Sequence, residues 1–490
     1  MAKCFSKRWG TLAGGFLIHM ATCIPFIFGN LSTYFISLMH RSGFFDVSQI
    51  GNDTWILGLF NAILFISMLI TELIVGRFGY RITLVIANVI FSCGCLFTYF
   101  TIQHSIWMTS LTFGIICGFG AGISIVTTLD LASRWFPSCV TTVCGVLISG
   151  FSFGGLVWNW MLSYFVNPDN LTPNQNLGYI RVFNQTEILD RVPNVFLLLG
   201  TFTSVVQFIG IALAFTPPSV NYEDLNLHEL NNDRTSALHE KSLSSMEQSK
   251  DGRREYTPLQ VLKDPGAYIQ WITLFTTLVC LLGVQVSYKS FGQTFIRNDH
   301  FIAYIGSVAA IGSSIYRIVI SVLADIISIK LLYIVGLLVG CIFLTTLHQT
   351  IDMGNGWFCL WILILESTLS TPLAFAPSIV QYTYGTTNFK SNFSLIWSAA
   401  SLSGLGGPVL LGGMLKSIGW TTRYYILSGV CGIGFLASIF IRIPFCIKKP
   451  PSPDPTAELS TTGLPTQKHT PETEASTLGQ ISTTTAGSPE

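Results

Sequence analysis

The sequence predicts an all-α membrane protein: twelve transmembrane helices in two pseudo-symmetric six-helix bundles. Three observations carry that expectation. First, half of the 490 residues are hydrophobic and 10% are charged, whereas soluble domains run at about a quarter charged. With a mean hydropathy of +0.55 and 36 Phe, 16 Tyr and 11 Trp, a soluble chain of this length has no way to bury its apolar surface. Second, apolar runs long enough to cross about 30 Å of hydrocarbon recur along the chain. Third, a short signal in the first half returns at the same place in the second. A soluble enzyme, a nucleic-acid binder and a disordered scaffold are thereby excluded. The net charge of +1 says nothing about partners.

In order, the runs fall at 11–35, 54–75, 82–102, 106–129, 141–165, 193–215, 267–288, 302–324, 331–349, 357–381, 393–415 and 424–443. The first holds no small-residue cleavage site, so it reads as a retained span and not as a secretory signal. A polar segment at 216–264 separates six runs from six. The expected organisation is an N-terminal bundle (1–215), a mostly disordered cytoplasmic linker (216–264), a C-terminal bundle (265–447) and a disordered cytoplasmic tail (448–490). Linker and tail are rich in Ser, Thr, Pro and charge. Within the linker, Tyr256-Thr-Pro-Leu-Gln-Val-Leu262 has the pattern of a short helix leading into the seventh run.

Lys and Arg set the orientation. With the N-terminus inside, cytoplasmic segments carry 18 of them, among them Arg77, Arg81, Arg134, Lys330 and Lys390. External segments carry 7: Arg41, Arg181, Arg191, Lys289, Arg297, Lys416 and Arg423. The sequons at Asn52, Asn170 and Asn184 then lie outside, where glycosylation is expected. Those at Asn30 and Asn392 fall in or beside spans and are not expected to be modified. With external sequons and no organelle address, the plasma membrane is the expected location. None of the 12 Cys lies in an external loop, so no external disulfide framework is expected. Cys93 and Cys95, two apart in a span, have no metal-ligand spacing and read as small packing residues. Gly114, Gly118 and Gly122, four apart inside an apolar run, form a close-packing face and not a phosphate loop. Gly404, Gly406 and Gly407 read likewise, with a kink expected at Pro408.

The remaining cation is Arg317, inside the eighth run and eight residues before Asp325, hence about 12 Å deep at about 1.5 Å per residue. Among the acids, Glu72, Asp130 and Asp325 sit at cytoplasmic span ends, and Glu366 falls near mid-membrane. A charge at depth costs at least a few kcal/mol and must face a cavity or a partner. Arg317 therefore binds an anionic substrate or forms a structural ion pair with Glu366. Glu366 is a counter-ion or a proton site. His19, the deep imidazole of the first run, is a packed histidine or a proton or substrate group.

The repeated signal reads Glu72-Leu-Ile-Val-Gly-Arg-Phe-Gly-Tyr-Arg81 and Ser321-Val-Leu-Ala-Asp-Ile-Ile-Ser-Ile-Lys330. Both resemble Gly-x-Leu-Ala-Asp-Arg-x-Gly-Arg-Lys, the signature of the major facilitator superfamily. Arg77, Gly79 and Arg81 are kept in the first copy, and Asp325 and Lys330 in the second. The resemblance implies that these loop charges latch the helices in one facing state. With Gly76 where the acid usually stands, the N-terminal latch is expected to be weakened. Arg134-Trp-Phe-Pro137, Gly145, Ser149-Gly-Phe-Ser-Phe-Gly154, Arg8-Trp-Gly-Thr-Leu-Ala-Gly-Gly-Phe-Leu-Ile-His19 and Tyr288-Lys-Ser-Phe-Gly-Gln293 are similar to the oxalate/formate antiporter-like and monocarboxylate transporter group.

This resemblance, from about residue 8 to 445, implies that Arg317 faces a substrate carboxylate. Where the oxalate antiporter type adds a Lys in the eleventh span, Ala400 stands here. One Arg fork pairs one carboxylate, so a monoanion fits better than oxalate. The implied activity is secondary active transport of small organic anions such as monocarboxylates, by symport or antiport and alternating access, not catalysis. The expected partners are a small carboxylate, protons as the candidate coupling ion, and the lipid bilayer. No nucleic acid, cofactor or metal is expected, and a monomer would suffice. A carrier of a neutral or zwitterionic nutrient and a transport-inactive receptor or sensor are the alternatives.

Overall fold

The computed structural model describes residues 2–178, 180–217, 255–407 and 413–441. The expected kink at Pro408, most of the linker and the whole tail lie outside these residues.

Among the described residues, ten helical stretches are long and apolar enough to cross a membrane. One of them, Thr54–Thr101, holds two spans. At about 1.5 Å per residue its 48 residues would run about 72 Å if straight, more than twice the hydrocarbon thickness. It reverses at Gly79, whose φ of 75° and ψ of 169° suit only glycine. The proof lies in the next span. There Gly114, Gly118 and Gly122 rest on Ile56, Phe60 and Leu64, and Gly120 rests on Ala87 and Phe91. Two segments some 27 residues apart thus flank one helix. The glycines act as the expected close-packing face, bringing backbones together where a Cβ would collide.

With Phe389–Gly407 the spans number twelve. We label them α1 (Lys7–Arg41), α2 (54–78), α3 (80–101), α4 (Ile106–Trp135), α5 (Val140–Val166), α6 (Thr186–Leu213), α7 (Pro265–Gly292), α8 (Asp299–Ala324), α9 (Ile329–Met353), α10 (Asn355–Tyr384), α11 (Phe389–Gly407) and α12 (Gly419–Ile439). Helix α1 breaks at Thr22–Cys23 and restarts at Ile24 with Pro25 in its first turn, where a missing N–H does no harm.

The packing repeats between the halves. In the first, α1 lies on α5 and α6, and α2 on α4. In the second, α7 lies on α11 and α12, and α8 on α10. Between halves, α5 packs on α8, α2 on α11, and α1 on α7. Exchanging the halves turns the first of these contacts into the second and the third into itself, as a pseudo-twofold axis requires. The expected helix in the linker is present as Pro258–Val261, with Thr257 and Gln260 as a capping box. Residues 255–264 are therefore structured, although the linker reads as mostly disordered.

One end of the molecule carries the basic loops around 76–81, 134–140, 325–330 and 385–390. The other carries the long connection after α5 with a small hairpin, Gln175–Leu177 paired with Ile180–Val182. We call them the basic end and the hairpin end.

Candidate substrate site and its two closures

A cavity opens where α1, α2, α4 and α5 meet α7, α10 and α11. Its wall is mainly apolar, with Phe26, Phe60, Leu64, Ile148, Phe151, Leu278 and Trp397, and polar at Thr22, Asn61, Gln285 and Ser403. Ala400 lies in this wall. A smaller cavity adjoins it, walled by Phe26, Gln285, Tyr288, Gly306, Ile362 and Glu366. The Tyr288 hydroxyl has no hydrogen-bond partner among the described residues.

Arg317 is fully buried on the α5–α8 seam. Nη1 donates to the Ile148 carbonyl at 3.2 Å and to Ser152 Oγ at 2.7 Å. Nε and Nη2 have no partner among the described residues. The Phe26 ring covers the guanidinium, 5.0 Å from Cζ to the ring centroid. Gly145 makes this seam possible, since a Cβ there would collide with the Ser321 side chain and press on the Arg317 carbonyl at 3.2 Å. Glu366 is also buried, but its Oε2 accepts from Gln285 Nε2 at 2.9 Å. The two charges do not touch: four ion pairs form among the described residues, and Arg317–Glu366 is not one of them. The expected contact pair is absent in this state. His19 lies outside both cavity walls. Its Nε2 is 2.8 Å from Thr128 Oγ1 and its ring packs on Phe151.

A second expectation needs correction. Arg317 is not the sole buried cation. Lys289, counted as external, stands in the last turn of α7 and is fully buried. Its Nζ bonds Asp299 Oδ1 at 3.0 Å and Asn30 Oδ1 at 2.7 Å, and lies over the Tyr34 ring. Asp299 Oδ2 accepts from the Tyr34 hydroxyl at 2.6 Å and from Asn167 at 3.3 Å. Glu366 is likewise not the sole buried acid, since Asp299 and Asp130 at the span ends are buried too. This cluster ties α1 and the end of α5 to α7 and α8, closing the hairpin end. Lys390, counted in a loop, is buried in α11 and pairs with Asp130 at 3.1 Å. Sequence reasoning missed both because it counted charges by loop. A Lys within one turn of a span end can point inward as easily as out.

The signature residues divide between structure and closure. Arg81 donates to the Ala214 and Ala212 carbonyls, capping the end of α6. Arg77 lies over Phe78. Asp325 accepts from the Thr142 N–H and hydroxyl at the start of α5, and so bridges the halves. Lys330 has no partner among the described residues. The acid missing at Gly76 is made good elsewhere: Asp130 holds Lys390, Arg134 and the Tyr80 hydroxyl. Glu72 accepts from Ser391, and Gln381 donates to Ser133 at 2.9 Å. The basic end is closed without the signature acid.

All three expected glycosylation sequons lie at the hairpin end. Asn184 is exposed and Asn52 partly so. Asn170, with φ of 52°, has its amide committed to Asn298 Oδ1 at 3.1 Å. Asn30 and Asn392 are fully buried.

A two-bundle membrane fold, with a buried cavity between its halves and a closure at each end, defines a carrier. The chain belongs to the Major Facilitator Superfamily, whose family model matches residues 12–388. It is a transporter and not an enzyme. It is 24% identical over 255 residues to "Apicoplast pyruvate carrier 1" of Toxoplasma gondii, covering 43% of this chain and 46% of that protein. Over 120 residues it is 29% identical to the riboflavin transporter of Saccharomyces cerevisiae, covering 24% and 22%. The matches thus span less than half of either relative. Among solved structures it superposes on a D-xylose-proton symporter with a TM-score of 0.66, at 13% identity, over 90% of this chain and 98% of that one. The Escherichia coli fucose:proton symporter gives 0.57 at 12% identity, over 89% and 98%. At such identities these structures speak for the fold alone.

Proposed function

We propose that the protein is a secondary carrier of small organic monoanions such as monocarboxylates, with Arg317 as the carboxylate site. The observation that carries this is the state of Arg317: a fully buried guanidinium, in neither cavity wall itself but against the wall residues Phe26 and Ile148, with two donors, Nε and Nη2, unmatched among the described residues. Every other buried cation of the two closures has its carboxylate, Lys289 with Asp299 and Lys390 with Asp130. A guanidinium at a dry site calls for an anion. Ala400 in the cavity wall leaves no second cation for a dicarboxylate. The partial likeness to a pyruvate carrier supports the reading. The apolar cavity wall and the partial likeness to a riboflavin transporter favour the second reading, a neutral substrate. We place the basic end in the cytoplasm and the protein in the plasma membrane, with Asn184 and Asn52 as the glycan sites.

Uptake of labelled monocarboxylates by the purified protein in liposomes tests the site. Arg317→Ala should abolish uptake while leaving folding intact. Arg317→Lys should impair it strongly, because an ammonium cannot reproduce the planar fork. Undiminished uptake by Arg317→Ala would overturn the assignment.

A further inference from the structure

Resting on that reading of Arg317, we propose that Phe26 stands in for the absent anion. Its ring screens the guanidinium in the empty carrier, so that the unloaded protein can pass through the closed state and return.

Three observations converge on Phe26. Its ring lies over the Arg317 guanidinium at 5.0 Å. It is a wall residue of both the central cavity and the small cavity that holds Glu366. It also stands just past the break in α1 at Thr22–Cys23, in the first turn of the restarted helix, with its carbonyl held by Asn159 Nδ2 at 3.2 Å. The ring therefore sits beside a discontinuity where a helix can bend without losing a continuous run of backbone hydrogen bonds.

The physics turns on what an empty carrier must do. Between outward and inward states both ends are tied at once, by Lys289–Asn30 and Tyr34–Asp299 at one end and by Lys390–Asp130 at the other. Water is then thinned around the cavity, and an uncompensated guanidinium is at its least stable. Glu366 does not touch Arg317, since its carboxylate holds Gln285. Beyond the Ile148 carbonyl and the Ser152 hydroxyl, which take only Nη1, the face of the Phe26 ring is a further source of negative potential at the guanidinium, and its effect grows as water leaves. A carboxylate with a bidentate geometry is a stronger partner than a ring, so substrate displaces Phe26 from its place. Exchange of one anion for another never carries an unloaded Arg317 through the closed state and needs no ring. Net transport requires the empty return and does.

The test separates those two modes in liposomes, using a labelled monocarboxylate that the unaltered protein carries. Phe26→Leu should lower net uptake about tenfold more than it lowers exchange, equivalent to about 1.4 kcal/mol on the return step. Phe26→Tyr, which keeps the ring face, should keep the ratio of net uptake to exchange of the unaltered protein. If the Leu variant fails to fold, Phe26→Met fills the volume without a ring face and should behave as Leu does. Equal loss of net uptake and exchange in Phe26→Leu would overturn the proposal, as would no loss of either. So would an unaltered protein that only exchanges. Arg317→Ala in the same assay distinguishes the failures. Exchange that depends on Arg317 but not selectively on Phe26 sinks only the Phe26 role. Exchange indifferent to Arg317 sinks the carboxylate site and this proposal with it.

Discussion

The hairpin end and the basic end are closed by the same three side-chain types in different arrangements. At the hairpin end Tyr34 donates to Asp299 at 2.6 Å and Lys289 pairs with Asp299 at 3.0 Å. At the basic end Tyr80 donates to Asp130 at 2.7 Å and Lys390 pairs with Asp130 at 3.1 Å. The difference is which half owns the charges. Lys289 and Asp299 both belong to the second half, and the first contributes only the neutral Asn30, Tyr34 and Asn167. At the basic end the ion pair itself crosses between halves, from Asp130 in α4 to Lys390 in α11. Opening the hairpin end would leave an intact ion pair in one half. Opening the basic end parts opposite charges, though Asp130 keeps Arg134 one turn away at 3.0 Å. An ion pair that crosses the halves controls the opening equilibrium; an ion pair within one half mainly holds that half together, and there the closure itself rests on the neutral Asn30, Tyr34 and Asn167.

This contrast breaks first at Lys289. Lys289→Ala leaves Asp299 buried and unpaired, a loss of about 3–5 kcal/mol in stability. Thermal unfolding of purified protein measures it. Pairing it with Asp299→Ala should restore part of the loss, because no lone charge remains. If the double variant is as unstable as the sum of the singles, the cluster is not acting as an ion pair.

Lys390→Ala should act differently. It removes a charged contact between halves, worth about 1.5–3 kcal/mol, but Asp130 keeps Arg134. The expected result is a shift toward the state open at the basic end with little loss of unfolding temperature. Cys144 reports it. This thiol is buried beside Ser133, which receives the Gln381 bond across the halves. Maleimide labelling of Cys144, read by mass spectrometry, should accelerate in the variant. Unchanged labelling together with a large fall in unfolding temperature would erase the distinction between the ends.

The smallest effect is a pH dependence confined to the hairpin end. Asp53, just before α2, is buried, and that burial pushes its carboxyl up from 3.8 to about 6, against backbone N–H groups and Arg423 that favour the ionised form. A raised carboxyl binds its proton more tightly in the folded state. Its contribution to stability is therefore full below the unfolded value near 3.8 and is lost as pH rises through about 6. Asp53→Asn should stabilise the protein at pH near 8 and change its stability little at pH near 4. A stability difference that does not vary between those conditions would show that the carboxyl is not paying for its burial.

Much of this was legible in the sequence. The twelve runs are apolar because lipid surrounds them, and lipid imposes the same demand on every span regardless of its neighbours. The repeated signature marked the connection after the second span, and the structure puts the reversal at its Gly79, where a backbone with φ of 75° selects glycine. The glycine spacing in α4 predicted a seam for the same kind of local reason. Arg317 stood out because a cation deep in an apolar run has no local explanation.

What the sequence left undecided was pairing. Arg317 and Glu366 were the natural pair on paper, and the fold gives Arg317 to Ile148, Ser152 and Phe26, and Glu366 to Gln285. Lys289 and Lys390 read as loop charges and became buried locks. Nothing in Gly76 signals that Asp130, 54 residues on, would supply the missing acid. Hydropathy is a property of one segment against its solvent, so it can be summed along the chain. A salt bridge depends on which faces of two distant helices meet and on where each side chain ends within a turn. Those are set by the packing of α5 on α8 and α2 on α11, and only the tertiary structure decides them.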